Sequence, residues 1–150
     1  MTVTLNSAKS HELIGTEVIY NYMTGGHAVV TLQSDVSGVY HTYNFRKPDG
    51  QDKNNDTMFI FTLVSGSEWV YVGMYKNRDF HFTAKSKFKA DSAIVKGVAF
   101  IIRLMLQDGF SNPNMHLYHE GICSRCGRPL TNPASIALGI GPTCAEMVYI

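Results

Sequence analysis

The feature that most constrains this 150-residue chain is a set of three cysteines, all of which lie near its C-terminus. Cys123 and Cys126 form a Cys-x-x-Cys pair followed by Gly127, and Cys144 follows further along the chain. Two thiolates at this spacing face one side of a tight turn, which a glycine allows to close. Three cysteines cannot all pair in disulfides without leaving one over. We therefore predict a single metal site, with zinc as the metal.

A closed tetrahedral site needs a fourth ligand. His119, four residues before Cys123, is the predicted one; His116 is the second choice and Glu120 the third. A water in the fourth position would instead indicate a catalytic zinc. The alternative to a metal site is a set of reduced cysteines that bind no ion.

The residues before Cys144 read Gly139-Ile140-Gly141-Pro142, which predicts a rigid corner before a terminal helix over 143–150. A helix N-terminus stabilises a thiolate in its first turn. We call the turn from Cys123 to Gly127 the knuckle. A knuckle followed by such a helix is similar to a treble clef. We expect a body at 1–114 and a zinc-binding subdomain at 115–150, joined in one compact unit. The predicted zinc is structural, because the end of the chain, 121–150, contains few large apolar groups.

The cysteine region carries a longer pattern: His119-Glu120-Gly121-x-Cys123-x-x-Cys126-Gly127-Arg128-x-Leu130-x-x-Pro133-x-Ser135-x-x-x-Gly139-Ile140-Gly141-Pro142-x-Cys144. This pattern is similar to a motif that recurs in uncharacterised phage and actinobacterial proteins, a family of unknown function. The resemblance runs from His119 to Cys144. It implies a zinc-binding phage or prophage protein and supports His119 as a ligand, but it implies no activity.

Residues with a period of two, rich in Val, Ile, Tyr, Phe and Thr, predict an antiparallel meander of four or five strands. The segments are 28–33, 39–46, 57–64, 69–75 and 79–84, each bounded by turn residues such as Ser, Gly, Pro, Asp or Asn. A further short strand is predicted at 115–118. These segments place most of the first half of the chain in one sheet.

Two segments have helical periodicity. Apolar residues at spacings of three and four predict a helix over 7–23 that ends at Gly25-Gly26, with a strand at 16–23 as the alternative. A wide apolar stripe predicts a second, buried helix that starts at Asp91 or Ser92 and ends at Gly109. The predicted fold class is α+β: an antiparallel sheet packed on helices, with a C-terminal treble-clef-like zinc subdomain.

The charge balance excludes a strongly basic DNA-binding domain, because the formal net charge is only +1. Lys85, Lys87 and Lys89 alternate with uncharged residues, so in an extended segment they would face one way. Together with Arg125 on the knuckle and Arg128 next to it, they are candidates for phosphate contacts with nucleic acid. The alternative is a solvated edge strand, where lysines discourage edge pairing.

Aromatic side chains are numerous on the predicted strands, and an exposed row of them could stack nucleic-acid bases. The alternative is that they form the sheet core and cross-strand pairs. The residues concerned are Tyr40, Tyr43, Phe45, Phe59, Phe61, Trp69, Tyr71, Tyr75, Phe80 and Phe82.

The sequence contains none of the common nucleophile or metal-hydrolase motifs, and we expect no catalytic activity. We expect a zinc-binding, phage-type accessory protein that associates with nucleic acid. The alternative is an accessory or inhibitor protein that binds a host protein. No apolar run is long enough for a membrane helix and no signal peptide is evident, which predicts a cytoplasmic location, in the host if the protein is phage-encoded.

Overall fold

The computed structural model describes residues 11–48, 56–65, 68–127, 133–141 and 144–146. In this part of the chain three named helices and six strands are followed by a short helical segment at 144–146, and the predicted α+β class is confirmed. In chain order they are α1 (Thr16–Met23), β1 (His27–Ser34), β2 (Tyr40–Arg46), β3 (Met58–Ser65), β4 (Glu68–Lys76), β5 (Asp79–His81), α2 (Ala93–Leu106), β6 (Met115–His119) and α3 (Pro133–Leu138).

The strands form one six-stranded sheet in the order β5-β4-β3-β2-β1-β6, and every neighbouring pair is antiparallel. The first five strands are the predicted meander. The chain then crosses through α2 and returns as β6 beside β1, with Leu32 opposite Leu117. The segment predicted to open the zinc subdomain is therefore the sixth strand of the main sheet.

One face of the sheet carries the core. Along β1, β2 and β3 alternate side chains point to this face, and those in the middle of each strand, such as Val30, Tyr43 and Ile60, are fully buried. Both α1 and α2 supply buried side chains to the same core cluster. The Tyr43 hydroxyl donates to the backbone oxygen of Ile94 at 2.8 Å, which ties β2 to α2. We call the opposite face of the sheet the outer face.

The sequence predicts that this helix begins at residue 7, but α1 begins at Thr16. The reason is Gly15, whose φ of +97° is incompatible with a helix. The preceding residues run beside β6 instead: the Leu13 N–H donates to the Leu117 oxygen at 2.8 Å, and Glu12 forms a bridge with Tyr118. The alternative of a strand at 16–23 is wrong. Residues 7–10 lie outside the described part of the chain.

Helix α2 starts where the sequence predicts. Ser92 is its N-cap, and the Ser92 hydroxyl accepts a hydrogen bond from the Val95 N–H at 3.3 Å. The helix ends at Leu106, shortly before Gly109. Among the described helices none has the length and apolar character needed to cross a membrane.

Candidate metal centre

The thiol sulfur atoms of Cys123, Cys126 and Cys144 all lie within 4.8 Å of one another. All three cysteines are free thiols. Zinc–sulfur bonds of about 2.3 Å at tetrahedral angles place neighbouring sulfurs about 3.8 Å apart. The observed spacing therefore fits one small ion, whereas an iron–sulfur cluster places several atoms between its thiolates. The three cysteines could hold a metal ion.

A tight turn brings the first two cysteines together. The Gly127 N–H donates to the Cys123 oxygen at 2.9 Å, and Gly127 has a φ of +78°. A residue with a side chain rarely adopts this backbone conformation, so a glycine is favoured here. The turn that the sequence predicts at this position is present.

The backbone around the turn stabilises a thiolate at Cys123. Burial acts to raise the pKa of the Cys123 thiol, but hydrogen bonds from the backbone N–H groups of Gly141, Cys126 and Arg125 outweigh it and lower the pKa to about 7. The pKa of Cys144 is raised to about 11, by burial and by the two neighbouring thiols. Three thiolates in one place repel one another, and a bound cation would relieve that repulsion.

The knuckle docks against the junction of α1 and β1. The His27 N–H donates to the Ser124 oxygen at 2.9 Å, and the Ser124 N–H donates to the Gly139 oxygen at 3.1 Å. Ser124 is fully buried, and a Cβ added to Gly25 would lie 2.4 Å from the Ser124 hydroxyl oxygen. Close backbone approach at Gly25 thus lets the cysteine turn pack against the body of the protein.

Gly139, whose oxygen accepts the Ser124 N–H, packs closely against the Tyr22 ring of α1. Its φ is +70°, and a Cβ added there would lie 2.4 Å from the Tyr22 ring. Two residues later, the Gly141 N–H binds the Cys123 sulfur. The corner predicted at 139–142 therefore supplies a donor to the cluster; Pro142 itself lies outside the described residues.

His119 lies outside the cysteine group. Its Nε2 is 2.6 Å from the Ile136 oxygen, and its Nδ1 accepts a hydrogen bond from the Gly121 N–H at 2.9 Å. Burial is the main cause that lowers the pKa of His119 to about 4, so the ring is neutral and has one N–H, which Nε2 donates. In this arrangement neither nitrogen has a free lone pair for a metal. The structure brings together three of the four predicted ligands.

The two lower-ranked ligand candidates also lie outside the group. The Nδ1 of His116 is 2.6 Å from a Glu12 carboxylate oxygen, and its Nε2 is 2.7 Å from an Asp35 oxygen. Glu120 is partly buried, and burial raises the pKa of its carboxyl group. Among the described His, Cys, Asp and Glu residues, only the three cysteines converge on a common point.

His119 has a role in the structure that the sequence did not reveal. Its ring stacks on His11, with centroids 4.9 Å apart, and lies 5.5 Å from the Tyr22 ring. Through Ile136 it holds α3, which leads into Gly139 and the Gly141 donor. The position of His119 four residues before Cys123 does not distinguish this role from that of a ligand.

The four described candidate nucleic-acid-binding residues lie in two separate parts of the structure. Lys85, Lys87 and Lys89 are exposed in a segment that is not a strand and lies by the edge of β4, where the Lys87 N–H donates to the Tyr71 oxygen at 3.4 Å. Arg125 is exposed on the knuckle beside β1. Three strand spacings of about 4.8 Å separate β4 from β1, or about 14 Å. Arg128 lies outside the described residues.

The aromatic residues divide between core and outer face. Tyr43, Phe45 and Tyr75 are buried in the core. Alternation along the strands places four others on the outer face, which we call the outer aromatic patch: Phe59, Phe61, Trp69 and Tyr71. The Tyr71 ring lies edge-on to the rings of Phe59 and Phe61, at 6.4 and 5.9 Å. Trp69 is 37% exposed.

Comparison with known proteins reaches only the C-terminal part of the chain. Residues 115–149 match the model of a family described as "Family of unknown function (DUF6011)". The match starts at the first residue of β6 and includes all three cysteines. No curated protein matches the chain, and no solved structure matches it. The cysteine region is thus similar to an uncharacterised family, and the comparisons assign no function.

Proposed function

We propose that this chain is a small zinc-binding module in which Cys123, Cys126 and Cys144 hold one structural zinc ion. The single observation that carries the proposal is the approach of the three sulfur atoms to within 4.8 Å of one another. Soft thiolate ligands in a tetrahedral arrangement favour zinc among the common metal ions. The ion would link the knuckle to the segment that starts at Cys144.

We further propose that the module is a phage-type accessory protein that associates with single-stranded nucleic acid. The lysine segment, residues 85–89, borders the outer aromatic patch. The backbone N–H of Lys87 donates to the backbone oxygen of Tyr71, and the Thr83 hydroxyl donates to the Tyr71 hydroxyl at 3.2 Å. Ammonium groups beside partly exposed aromatic rings provide phosphate contacts and base stacking together. The contact between the lysine segment and the outer aromatic patch supports nucleic-acid binding more strongly than the alternation of lysines in the sequence does.

Fluorescence anisotropy with a labelled single-stranded oligonucleotide, at several salt concentrations, tests this proposal. Lys85→Ala/Lys87→Ala removes two phosphate contacts, so the slope of log affinity against log salt should fall by about 1.4. Lys47→Ala/Lys96→Ala, which removes two lysines elsewhere, should leave the slope nearly unchanged. Trp69→Ala should weaken binding about equally at every salt concentration. No binding of the unaltered chain at low salt would contradict the proposal.

A second candidate is a module that binds a host protein without catalysis. It is favoured by three exposed apolar side chains near the β1–β2 turn: Val36 (80% exposed), Val39 (53%) and Tyr40 (56%). Adjacent exposed apolar residues of this size are typical of protein contacts. Val36→Ser/Val39→Ser should abolish capture of a host partner if this candidate is right, while nucleic-acid binding should not change.

A further inference from the structure

The cysteine group supplies three donors, whereas zinc in a closed site takes four. Every Cys, His and Glu of the chain lies within the described residues. Of the side-chain types that commonly bind zinc, the rest of the chain contains only Asp49 and Asp52. The described chain therefore gives an incomplete coordination sphere.

The two nearest histidines in sequence are committed to other contacts. For His119 to bind the metal, its ring would have to release either the Ile136 oxygen or the Gly121 N–H, and the residue is only 3% exposed. A buried backbone group that loses its partner destabilises the fold. His116 faces a carboxylate with each of its ring nitrogens. Neither ring has a free nitrogen for the fourth position.

The cluster is also reachable from solvent. Cys123 is buried, but Cys126 is exposed and Cys144 is partly exposed. Zn²⁺ with three thiolates has a net charge of −1, and a neutral donor keeps that charge, whereas a fourth thiolate would raise it to −2. Zinc sites with three thiolates and one imidazole are common.

We infer that the fourth coordination position of the metal accepts an imidazole from outside the chain. The inference rests on the proposed function, because it needs the three cysteines to bind a metal. It gives the site a role beyond stability, because a histidine of a second copy or of a partner protein would reach the metal directly.

Cobalt(II) substitution of the reduced full-length chain tests this inference, because the visible bands of cobalt respond to its fourth ligand. Imidazole, as the probe, should shift these bands along a saturable curve for one site. Metal content after gel filtration should show that cobalt stays on the protein. If a second copy supplies the histidine, the bands should change with protein concentration before any imidazole is added.

The matched control is His119→Gln, since a glutamine amide can donate to Ile136 and accept from Gly121 but is not a usual zinc ligand. We expect the unaltered chain and His119→Gln to respond alike to imidazole. Unchanged bands in the unaltered chain with cobalt bound would overturn the inference, as would a response confined to His119→Gln or to Asp49→Asn/Asp52→Asn. Loss of cobalt on adding imidazole would overturn it too. A chain that binds neither cobalt nor zinc would instead refute the proposed function, and the inference with it.

Discussion

At the scale of single residues, the cysteine region depends on contacts that only particular side chains can make. Gly139 combines a left-handed backbone conformation with close packing on the Tyr22 ring. His119, the last residue of β6, contacts α3 through its Nε2 and accepts from the Gly121 N–H through its Nδ1. The glycine could be anticipated from the Gly-Ile-Gly-Pro corner. The hydrogen bonds of His119 could not be anticipated, because a sequence does not show which backbone groups lie near a ring.

Gly139→Ala should destabilise the protein by about 2–4 kcal/mol. The left-handed backbone costs an alanine about 1–2 kcal/mol, and displacement of the Tyr22 ring adds the cost of an overpacked site. Gly109→Ala is the control: Gly109 has a φ of +78°, but a Cβ added there meets no atom within 4 Å. It should therefore lose only the backbone part. Equal losses in urea unfolding would show that packing against Tyr22 contributes nothing.

His119→Ala should lower the free energy of unfolding by about 1–3 kcal/mol, because it leaves the Ile136 oxygen and the Gly121 N–H without their partner. His119→Gln should lower it less, since the amide can make both hydrogen bonds. Thermal unfolding of the two variants, each with the same amount of bound metal per chain, measures the difference. If both variants were as stable as the unaltered chain, these hydrogen bonds would have no structural role.

At the scale of secondary structure, strands β1 to β4 could be predicted to within one or two residues. Their alternation of apolar residues and their turn residues are local signals, and both survive in the fold. The pairing of β6 with β1 could not be predicted, because it joins segments that are far apart along the chain. The start of α1 was predicted too early, since contacts of residues 11–13 with β6 override the helical periodicity.

His116 links three segments in a pH-dependent way. Glu12 precedes α1, Asp35 follows β1, and each carboxylate lies within 2.7 Å of a different ring nitrogen. Carboxylates only accept hydrogen bonds when ionised, so this geometry needs both ring nitrogens protonated. Hydrogen bonds to Glu12 and Asp35 raise the pKa of His116 above its ordinary value of 6.5.

Because the folded-state pKa of His116 is raised, its stabilising effect is fully present below pH 6.5 and is lost as the pH rises through the folded-state pKa. Asp35 is 56% exposed, so solvent screening limits the effect to about 1 kcal/mol. Urea unfolding at a series of pH values should show this loss in the unaltered chain and not in His116→Gln. Glu17→Gln, on the exposed side of α1, should retain it. An identical pH profile for His116→Gln would contradict the assignment.

At the scale of the whole molecule, the sheet and the cysteine region share a strand but use different interactions. The sheet is held by the buried face of β1 to β4 and by the two longer helices. The cysteine region adds only a few buried apolar side chains of its own among the described residues, Ile140 being one. A metal ion would therefore matter most for the residues after His119. The Cys123–Cys126 pair could be recognised from the sequence because its spacing is local, whereas the docking of the cysteine region on the body could not.

Removal of the metal with a chelator should loosen the cysteine region without unfolding the sheet. Hydrogen exchange should accelerate in residues 120–127 and 133–146, while β1 to β3 keep their protection. Cys126→Ser should reproduce this pattern in the absence of chelator. Uniform loss of protection across the sheet would show that the metal is needed for the whole fold.

X-ray absorption spectroscopy at the zinc edge of the purified, reduced protein tests the central claim most directly. The claim is that three thiolates of this chain converge on one metal ion. The expected result is one zinc per chain with three sulfur neighbours at about 2.3 Å and one nitrogen or oxygen neighbour. Zinc with fewer than three sulfur neighbours, or a fully folded chain that binds no metal, would contradict it.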